Sequence, residues 1–490
     1  MSSRVCAVRE ERGSTGLAAS YASPGVAGGP PLRVSAGIPP DFDRAPARRT
    51  LAEASALGGN GRAVSLPLMI DPRLLTDEPD ATAAALARRG VDAATLGRLR
   101  ALDAARRAAI TAVDAARAEQ KAASKSIGNR PPEEREAAIA EAAVLKERVA
   151  ALEVERDTAE AAQHDAFSRI PNLPHPDAPD GEEGDGVVVR LVGERPMLDG
   201  IDEPRDHVAL LEGADALDLV RGAKVSGSRF AYLKGEGALL ELALVRYAVD
   251  VAMANGHVPV VPPVLVREPA MYGTGFLPTD EQQLFATRDD DLYLVGTSEV
   301  PLAGMHMDEV LDASELPLRY AGISPCFRRE AGAHGKDTRG IFRVHQFEKV
   351  ELFSLVAPGE GDAEHERILS TQLAILAGLD LHAQVVDIPV GDLGASAARK
   401  FDVEAWIPSQ GAFREVTSCS NTTDYQARRL RIRMRVDGGD NMLVHTLNGT
   451  ALAVQRTIIA LVEQHQRADG SVAVPAALVP YLGREVLLAR

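Results

Sequence analysis

The sequence predicts an α+β protein in which a long helical hairpin precedes a domain that mixes helices with paired strands. Three observations carry this. Residues 93–127 and 133–170 are dominated by Ala, Glu, Arg, Lys and Leu, all strong helix formers. Beyond residue 185, helical periodicity gives way to short β-branched runs. Residues 327–351 then alternate in two strand-like arms joined by a Gly-rich turn. At 490 residues the chain can hold two or three domains and bury a sizeable core.

Composition narrows the class. Hydrophobic content of 45% and charged content of 25% fit a soluble globular protein, and no apolar run reaches the length of a membrane span. Cys6, Cys326 and Cys419 are scattered and odd in number. They offer neither a disulfide framework nor a Cys-x-x-Cys metal pair, which fits a reducing cytoplasm. The formal charge of -16 opposes bulk attraction to nucleic acid, so an RNA partner would need a local basic surface.

Residues 1–68 are rich in Gly, Pro, Ala and Arg, contain no Lys and lack sustained periodicity. Glu10, Glu11, Asp41, Asp43 and Glu53 are out of character for a transit peptide. The segment reads as a disordered extension or a start placed too far upstream. In the two long helices, Leu96, Leu99, Ile110 and Val113, then Ile139, Ala142, Leu145, Val149 and Leu152, recur at helical spacing, while Asp103 and Arg106 interrupt the first stripe. This predicts a thin-cored antiparallel coiled coil turning at Gly128–Pro132. Arms of this length project about 50 Å at 1.5 Å per residue. Near the tip, Lys121, Lys125, Arg130 and Arg135 are mixed with Glu133, Glu134 and Glu136. Charge alone leaves RNA contact and a dimerisation scaffold equally open.

The Pro-, Asp- and Gly-rich stretch 171–185 reads as a linker. A helix over 237–250 and a strand over Val260–Val266, entered through prolines, follow. Thr297, Ser298 and Pro301 look like a helix start. In the strand-like arms, Arg328 and Glu330 should share one face with Arg329 on the other, and Arg343, His345, Phe347, Lys349 and Glu351 should share a face in the return arm. Such a charged face is either a solvated ion-pair ladder or the floor of a site for a charged ligand. Neither Gly-rich phosphate cradle occurs, nor a His-Glu-x-x-His zinc motif, nor a nucleophile elbow. If the chain handles ATP, it must do so with arginines, whose planar forks bind phosphate oxygens bidentately.

The run from Phe327-Arg328-Arg329-Glu330 to His345-Gln346-Phe347-Glu348-Lys349-Val350-Glu351 resembles motif 2 of the class II aminoacyl-tRNA synthetases, in the form seen in the bacterial-type seryl-tRNA synthetases. The helix and strand before it resemble motif 1, which forms a dimer interface in that class. Asn448-Gly449-Thr450 and the following run through Arg456 resemble motif 3. Gly296 to Gly304 matches a Thr-x-Glu segment, while Phe401–Gln410 with Arg414–Asn421 resembles elements specific to the seryl enzymes. The resemblance covers residues 69–490 in order. It opens at Met69.

The resemblance implies a helical-hairpin coiled coil joined to a class II catalytic domain on a mixed, mainly antiparallel sheet flanked by helices. The domains would be 1–68 as extension, 69–175 as tRNA-binding arm and 176–490 as catalytic domain. It implies activation of L-serine with ATP and transfer of serine to tRNA(Ser), and to tRNA(Sec) as well. Arg328 and Arg456 would be catalytic, on the α- and γ-phosphates. Arg329, Glu330, Val344, Glu415, Val416, Thr417 and Ser418 would join them around ATP, although Arg329 and Thr417 stand where Ser is common. Thr297, Ser298, Glu299, Glu351 and Thr450 would face serine. Glu415 and Ser418 would supply oxygen ligands to Mg2+. A cytoplasmic homodimer without zinc, and without membrane attachment, is expected. Trp406, the single tryptophan, should be packing. Two rivals are a ligase loading an amino acid onto a carrier protein and a non-enzymatic coiled-coil protein. Related carrier-protein ligases lack the long arm and use zinc.

Overall fold

The two helix-forming runs become α1 (Ala93–Ile127) and α2 (Pro132–Phe167), packed antiparallel in the computed structural model. That structure describes residues 70–331, 337 and 339–488, so the leader 1–68 and the start at Met69 lie outside the described residues. Asp92 caps α1 by accepting from the Thr95 amide, and Pro132 opens α2, where a missing N–H costs nothing. The seam is thin: Leu96, Leu99, Val113 and Ala116 of α1 and Ala138, Val149 and Phe167 of α2 are buried. Asp103 does not break it. Its buried carboxylate accepts from Gln163 Nε2 at 2.8 Å, bridging the helices. Ile139, expected in the stripe, is 57% exposed, and neighbouring Ala138 fills the seam where the helices pack closely.

The stretch 171–185 is not a free tether. Asn172 is buried, and its side chain donates to the carbonyls of Ser396 and Thr422. The arm's base is therefore fastened to the second domain.

That domain is built on eight strands. In chain order these are β1 (Val187–Val192), β2 (Val258–Val260), β3 (Leu318–Phe327), β4 (Gln346–Val356), β5 (Ala383–Asp387), β6 (Arg399–Ile407), β7 (Ala412–Asn421) and β8 (His445–Ala453). Their spatial order is β1-β5-β6-β7-β8-β4-β3-β2. Only the β2–β3 pair is parallel, so the sheet is mixed and mainly antiparallel, as expected. Three helices, α3 (Glu236–Ala254), α4 (Gly361–Gly378) and α5 (Val454–Gln464), pack Leu240, Leu244, Ile368, Ile375, Ile458 and Leu461 against it. The period of two along β4 sends Val350 and Leu352 into this core and Lys349 and Glu351 to the opposite side.

Two expectations shift. The strand over Val260–Val266 is cut by Pro262 and Pro263, leaving Val258–Val260 in the large sheet and Leu265–Arg267 in a separate small one. The first arm of the charged hairpin stops at Phe327, and Glu330 adopts a left-handed φ of 50° rather than an extended one. Thr450 lies inside β8, whose ladder continues to Ala453 before α5 begins.

Candidate active site

On the side of the sheet away from α3–α5, a cleft of about 410 Å³ opens above β4, β7 and β8. It is within the size range of small-molecule sites. Thr297, Glu299, Arg328, Glu330, Val344, Glu351, Glu415, Val416, Thr417, Ser418, Thr450 and Arg456 all line it. Residues far apart in the chain are thus brought to one surface. Two predicted residues are not. Arg329 is exposed, its amide donating to the Gln283 carbonyl on the far side of the strand end. Ser298 is fully buried against Ser324, 2.7 Å between hydroxyls, and packs beneath the cleft.

One end of the cleft is rich in buried carboxylates. Glu351 sits directly opposite Thr450 in the β4–β8 ladder and accepts from its hydroxyl at 3.1 Å. Two residues before it on the same face, Lys349 pairs with Glu351 at 2.5 Å and donates to Thr297 Oγ1 at 2.6 Å. Glu299 opens a short helix (Glu299–Gly304) whose first amide is capped by Thr297 rather than Ser298. Its Oε1 accepts from Gln426 and Asn448, each at 2.6 Å. Burial, then the nearby Glu351 carboxylate, pushes the Glu299 carboxyl up to about 7. The two acids therefore differ: Glu351 has a cation against it, whereas the hydrogen-bond partners of Glu299 are neutral amides.

The other end is rich in arginine. Arg328 donates from Nε to the Gly296 carbonyl at 3.2 Å, and its guanidinium stands 5.5 Å from the Phe347 ring. Arg343 holds Glu330 by an ion pair at 2.5 Å. Arg456, in the first turn of α5, lies 4.8 Å from the Phe342 ring and donates from Nη1 to both the carbonyl and carboxylate of Glu415, at 3.0 and 2.9 Å. Burial alone would raise the Glu415 carboxyl, but Arg456 and Lys400 hold it well below the usual range, so it is anionic at neutral pH. Beneath the floor, Gln372 of α4 donates to Thr417 Oγ1 and to the carbonyls of Ser418 and Thr450.

Lys349, Arg343, Lys400, Gln426, Asn448 and Gln372 were not assigned to the site from sequence. The alternation in the return arm that marked Glu351 also marks Lys349 on β4 and Arg343 just ahead of it, so those two were within reach. Gln372 and Gln426 sit on helices whose local pattern carries no sign of the site. Trp406 packs as expected, edge-on to Phe413 and beneath the Arg195 guanidinium at 4.1 Å.

Comparison with known proteins gives two family matches. Residues 69–174 match the seryl-tRNA synthetase N-terminal domain, and residues 283–465 match the tRNA synthetase class II core domain (G, H, P, S and T). The chain is similar to the serine–tRNA ligase of Acidothermus cellulolyticus, with 54% identity over 86% of this chain and 99% of the relative. The Nocardia farcinica serine–tRNA ligase is 53% identical over the same shares. Among solved structures, seryl-tRNA synthetase from Pyrococcus horikoshii complexed with ATP is similar, with a TM-score of 0.80, 40% identity and coverage of 86% and 99%. Cytoplasmic serine–tRNA ligase from Naegleria fowleri in complex with AMP gives a TM-score of 0.76 at 32% identity, over 86% of this chain and 99% of that one.

Proposed function

The chain belongs to the seryl-tRNA synthetase family and ligates serine to tRNA at the expense of ATP, and from that premise we propose how its own residues divide the work. The division rests on the polarity of the cleft, carboxylates at one end and arginines at the other. The serine ammonium goes to Glu299, which among the described residues is hydrogen-bonded by the amides of Gln426 and Asn448 and by no cation. The hydroxyl goes to Glu351 and Thr450, where Lys349 already balances the acid. A ligand lacking the hydroxyl would leave these buried groups unpaired, which is the means of rejecting it.

Arg328 takes the α-phosphate and Arg456 the γ-phosphate, with Glu330 and Val344 against the adenine. The serine carboxylate attacks the α-phosphorus, pyrophosphate leaves, and the protein supplies alignment and charge stabilisation rather than a nucleophile. The terminal adenosine hydroxyl of the tRNA then attacks the seryl carbonyl and AMP departs. Arg329 and Ser298 have no place in this scheme beyond support.

Glu415, held anionic, and Ser418 offer the oxygen donors that suit Mg2+. When bound, Mg2+ would neutralise phosphate charge, with ATP oxygens completing its shell. Among the described residues no cluster of three or more His, Cys, Asp or Glu could hold a metal ion. No zinc enters the scheme.

Residues 69–175 are the tRNA-binding domain and 176–490 the catalytic one, the distal hairpin gripping tRNA(Ser) and equally tRNA(Sec). Leu239, Leu242, Val258 and Val261, exposed on and beside α3 and β2, support a homodimer through this face. No helix among the described residues is long and apolar enough to cross a membrane. We place the enzyme in the cytoplasm.

Serine-dependent ATP–pyrophosphate exchange tests the reading. Exchange with Mg2+ present, followed by charging of tRNA(Ser), is expected. Excising the distal hairpin between residues 107 and 156 should abolish charging while exchange stays within roughly twofold. Exchange without charging by the full chain would favour the carrier-protein alternative, and no exchange by folded protein would overturn the site.

A further inference from the structure

The wall of the cleft formed by residues 394–397 is held almost entirely by the arm domain. Gly394, Ser396 and Ala397 line the cleft. Their backbone carbonyls, and those of their neighbours, point away from it and need donors. Arg89, just past the short helix Pro79–Arg88, supplies three of them. Its Nη1 donates to the Ala397 carbonyl at 3.1 Å, and its Nη2 to those of Leu393 and Gly394 at 3.1 and 2.9 Å. Asn172 covers the next two, its amide donating to Ala395 and its side chain to Ser396. The His175 amide takes Ala398 at 2.8 Å. Consecutive carbonyls from 393 to 398 are thus satisfied by the N-terminal 175 residues.

The neighbouring Arg88 anchors the anchor. Its guanidinium bonds the Ala178 carbonyl and Asp180, fixing the short helix to the returning chain. No carboxylate within ion-pair distance of Arg89 is found among the described residues, so its fork is committed to the loop. On the cleft side, Ser396 lies against Gly275, where an added Cβ would meet Ser396 Cβ at 3.5 Å and Arg429 Nη1 at 3.4 Å. Asn172 also bonds the Thr422 carbonyl, four residues before Gln426, which holds Glu299. The wall held by Arg89 therefore borders the carboxylate end of the cleft.

We infer that Arg89 is a positioning residue through which the base of the arm domain shapes the serine end of the catalytic pocket. The base of the arm then has a role in amino-acid activation separate from any grip on tRNA. Arginine suits it because one planar fork can serve carbonyls at several angles, whereas an ammonium on a flexible stem serves fewer with less definition.

The inference rests on the serine-activating reading above, and the test separates the two. ATP–pyrophosphate exchange without tRNA is measured for the full chain and for Arg89→Ala and Arg89→Lys. Wild-type exchange establishes the reading itself. Arg89→Ala is expected to raise KM for serine on the order of tenfold, with kcat and KM for ATP changed by less than about twofold, and Arg89→Lys to recover part of the loss. A folded Arg89→Ala variant with unchanged serine KM would overturn the inference. So would a fall in kcat alone, matched by fewer active sites on titration, since that is the mark of misfolding. If Arg89→Ala does not fold, Arg89→Lys decides: a serine KM raised at least about threefold supports the role, and an unchanged one removes it.

Discussion

The helical arm and the catalytic cleft spend the same residue types, arginine and glutamate, in opposite ways. Along the arm, Arg117 meets Glu153 and Arg148 meets Glu119 with both partners substantially exposed. Each side chain there has one partner and water as an alternative. In the cleft, Glu351 is held by Lys349 and Thr450, Glu299 by Gln426 and Asn448, and Arg456 by Glu415 and the Phe342 ring. The Arg456–Glu415 pair stays half-buried, but at Glu351 and Glu299 burial removes the alternative, so their geometry is fixed before a ligand arrives. That is what preorganised charge stabilisation requires. The arm instead requires reach, which a thin Ala-rich seam provides.

The largest effect expected from this contrast comes from removing a cleft arginine. Arg456→Ala should lower kcat for ATP–pyrophosphate exchange by roughly 10²–10³-fold, the usual loss when one fixed donor to developing charge is deleted. Steady-state exchange measures it. A loss below tenfold would mean that the Arg456–Glu415 pair is structural and that the phosphates are held elsewhere.

A smaller effect should follow pH. The Glu299 carboxyl is raised to about 7 by burial and by Glu351, so in the free enzyme it gains its charge between about pH 6 and 8. Serine affinity should improve roughly tenfold across that interval as the carboxylate becomes available to the ammonium. Glu299→Gln should bind serine weakly and flatten the profile. Stability should move the other way. A carboxyl whose folded value lies above its ordinary 4.5 contributes stability fully below that value and loses it as pH rises through about 7. Ligand-free wild type should therefore lose Tm relative to Glu299→Gln over this window. Parallel melting curves of the two proteins check the sign.

How much of this could be read from the sequence differs between the regions for a physical reason. Helix propensity is local, and α1 was legible to its last residue, Ile127. The charged hairpin was legible because the strand period of two exposed Arg328, Glu330 and Glu351 as a pattern that a core does not explain. Glu330 nevertheless left the extended conformation, since the strand ends at Phe327 and the turn takes over. Asn448-Gly449 looks locally like a turn, yet Asn448, Gly449 and Thr450 all pair in the β4–β8 ladder, with Thr450 opposite Glu351. Gln426 and Gln372 stayed hidden because their role depends on which helix lies under which strand. No periodicity encodes that. The clasp of Arg89 on residues 393–397 is hidden for the same reason, joining positions more than 300 apart in the chain.

Within the arm the same contrast recurs at smaller scale, and one pair of substitutions isolates it. Asp103 and Gln163 form the buried exception among surface charges, with Gln163 at 2% exposure and the bond at 2.8 Å. Asp103→Ala leaves the Gln163 amide without that acceptor in a dry seam, and also frees Arg107, which pairs with Asp103 at 2.9 Å. A loss of about 1–3 kcal/mol is expected, as for other buried donors left unsatisfied. Arg117→Ala, which removes an ion pair at 2.5 Å between side chains 51% and 35% exposed, should cost less than about 1 kcal/mol, because water replaces the partner. Urea denaturation of both variants gives the comparison directly. Equal losses would mean that burial does not set the worth of a polar contact in this coiled coil, and the distinction between arm and cleft would lose its physical basis.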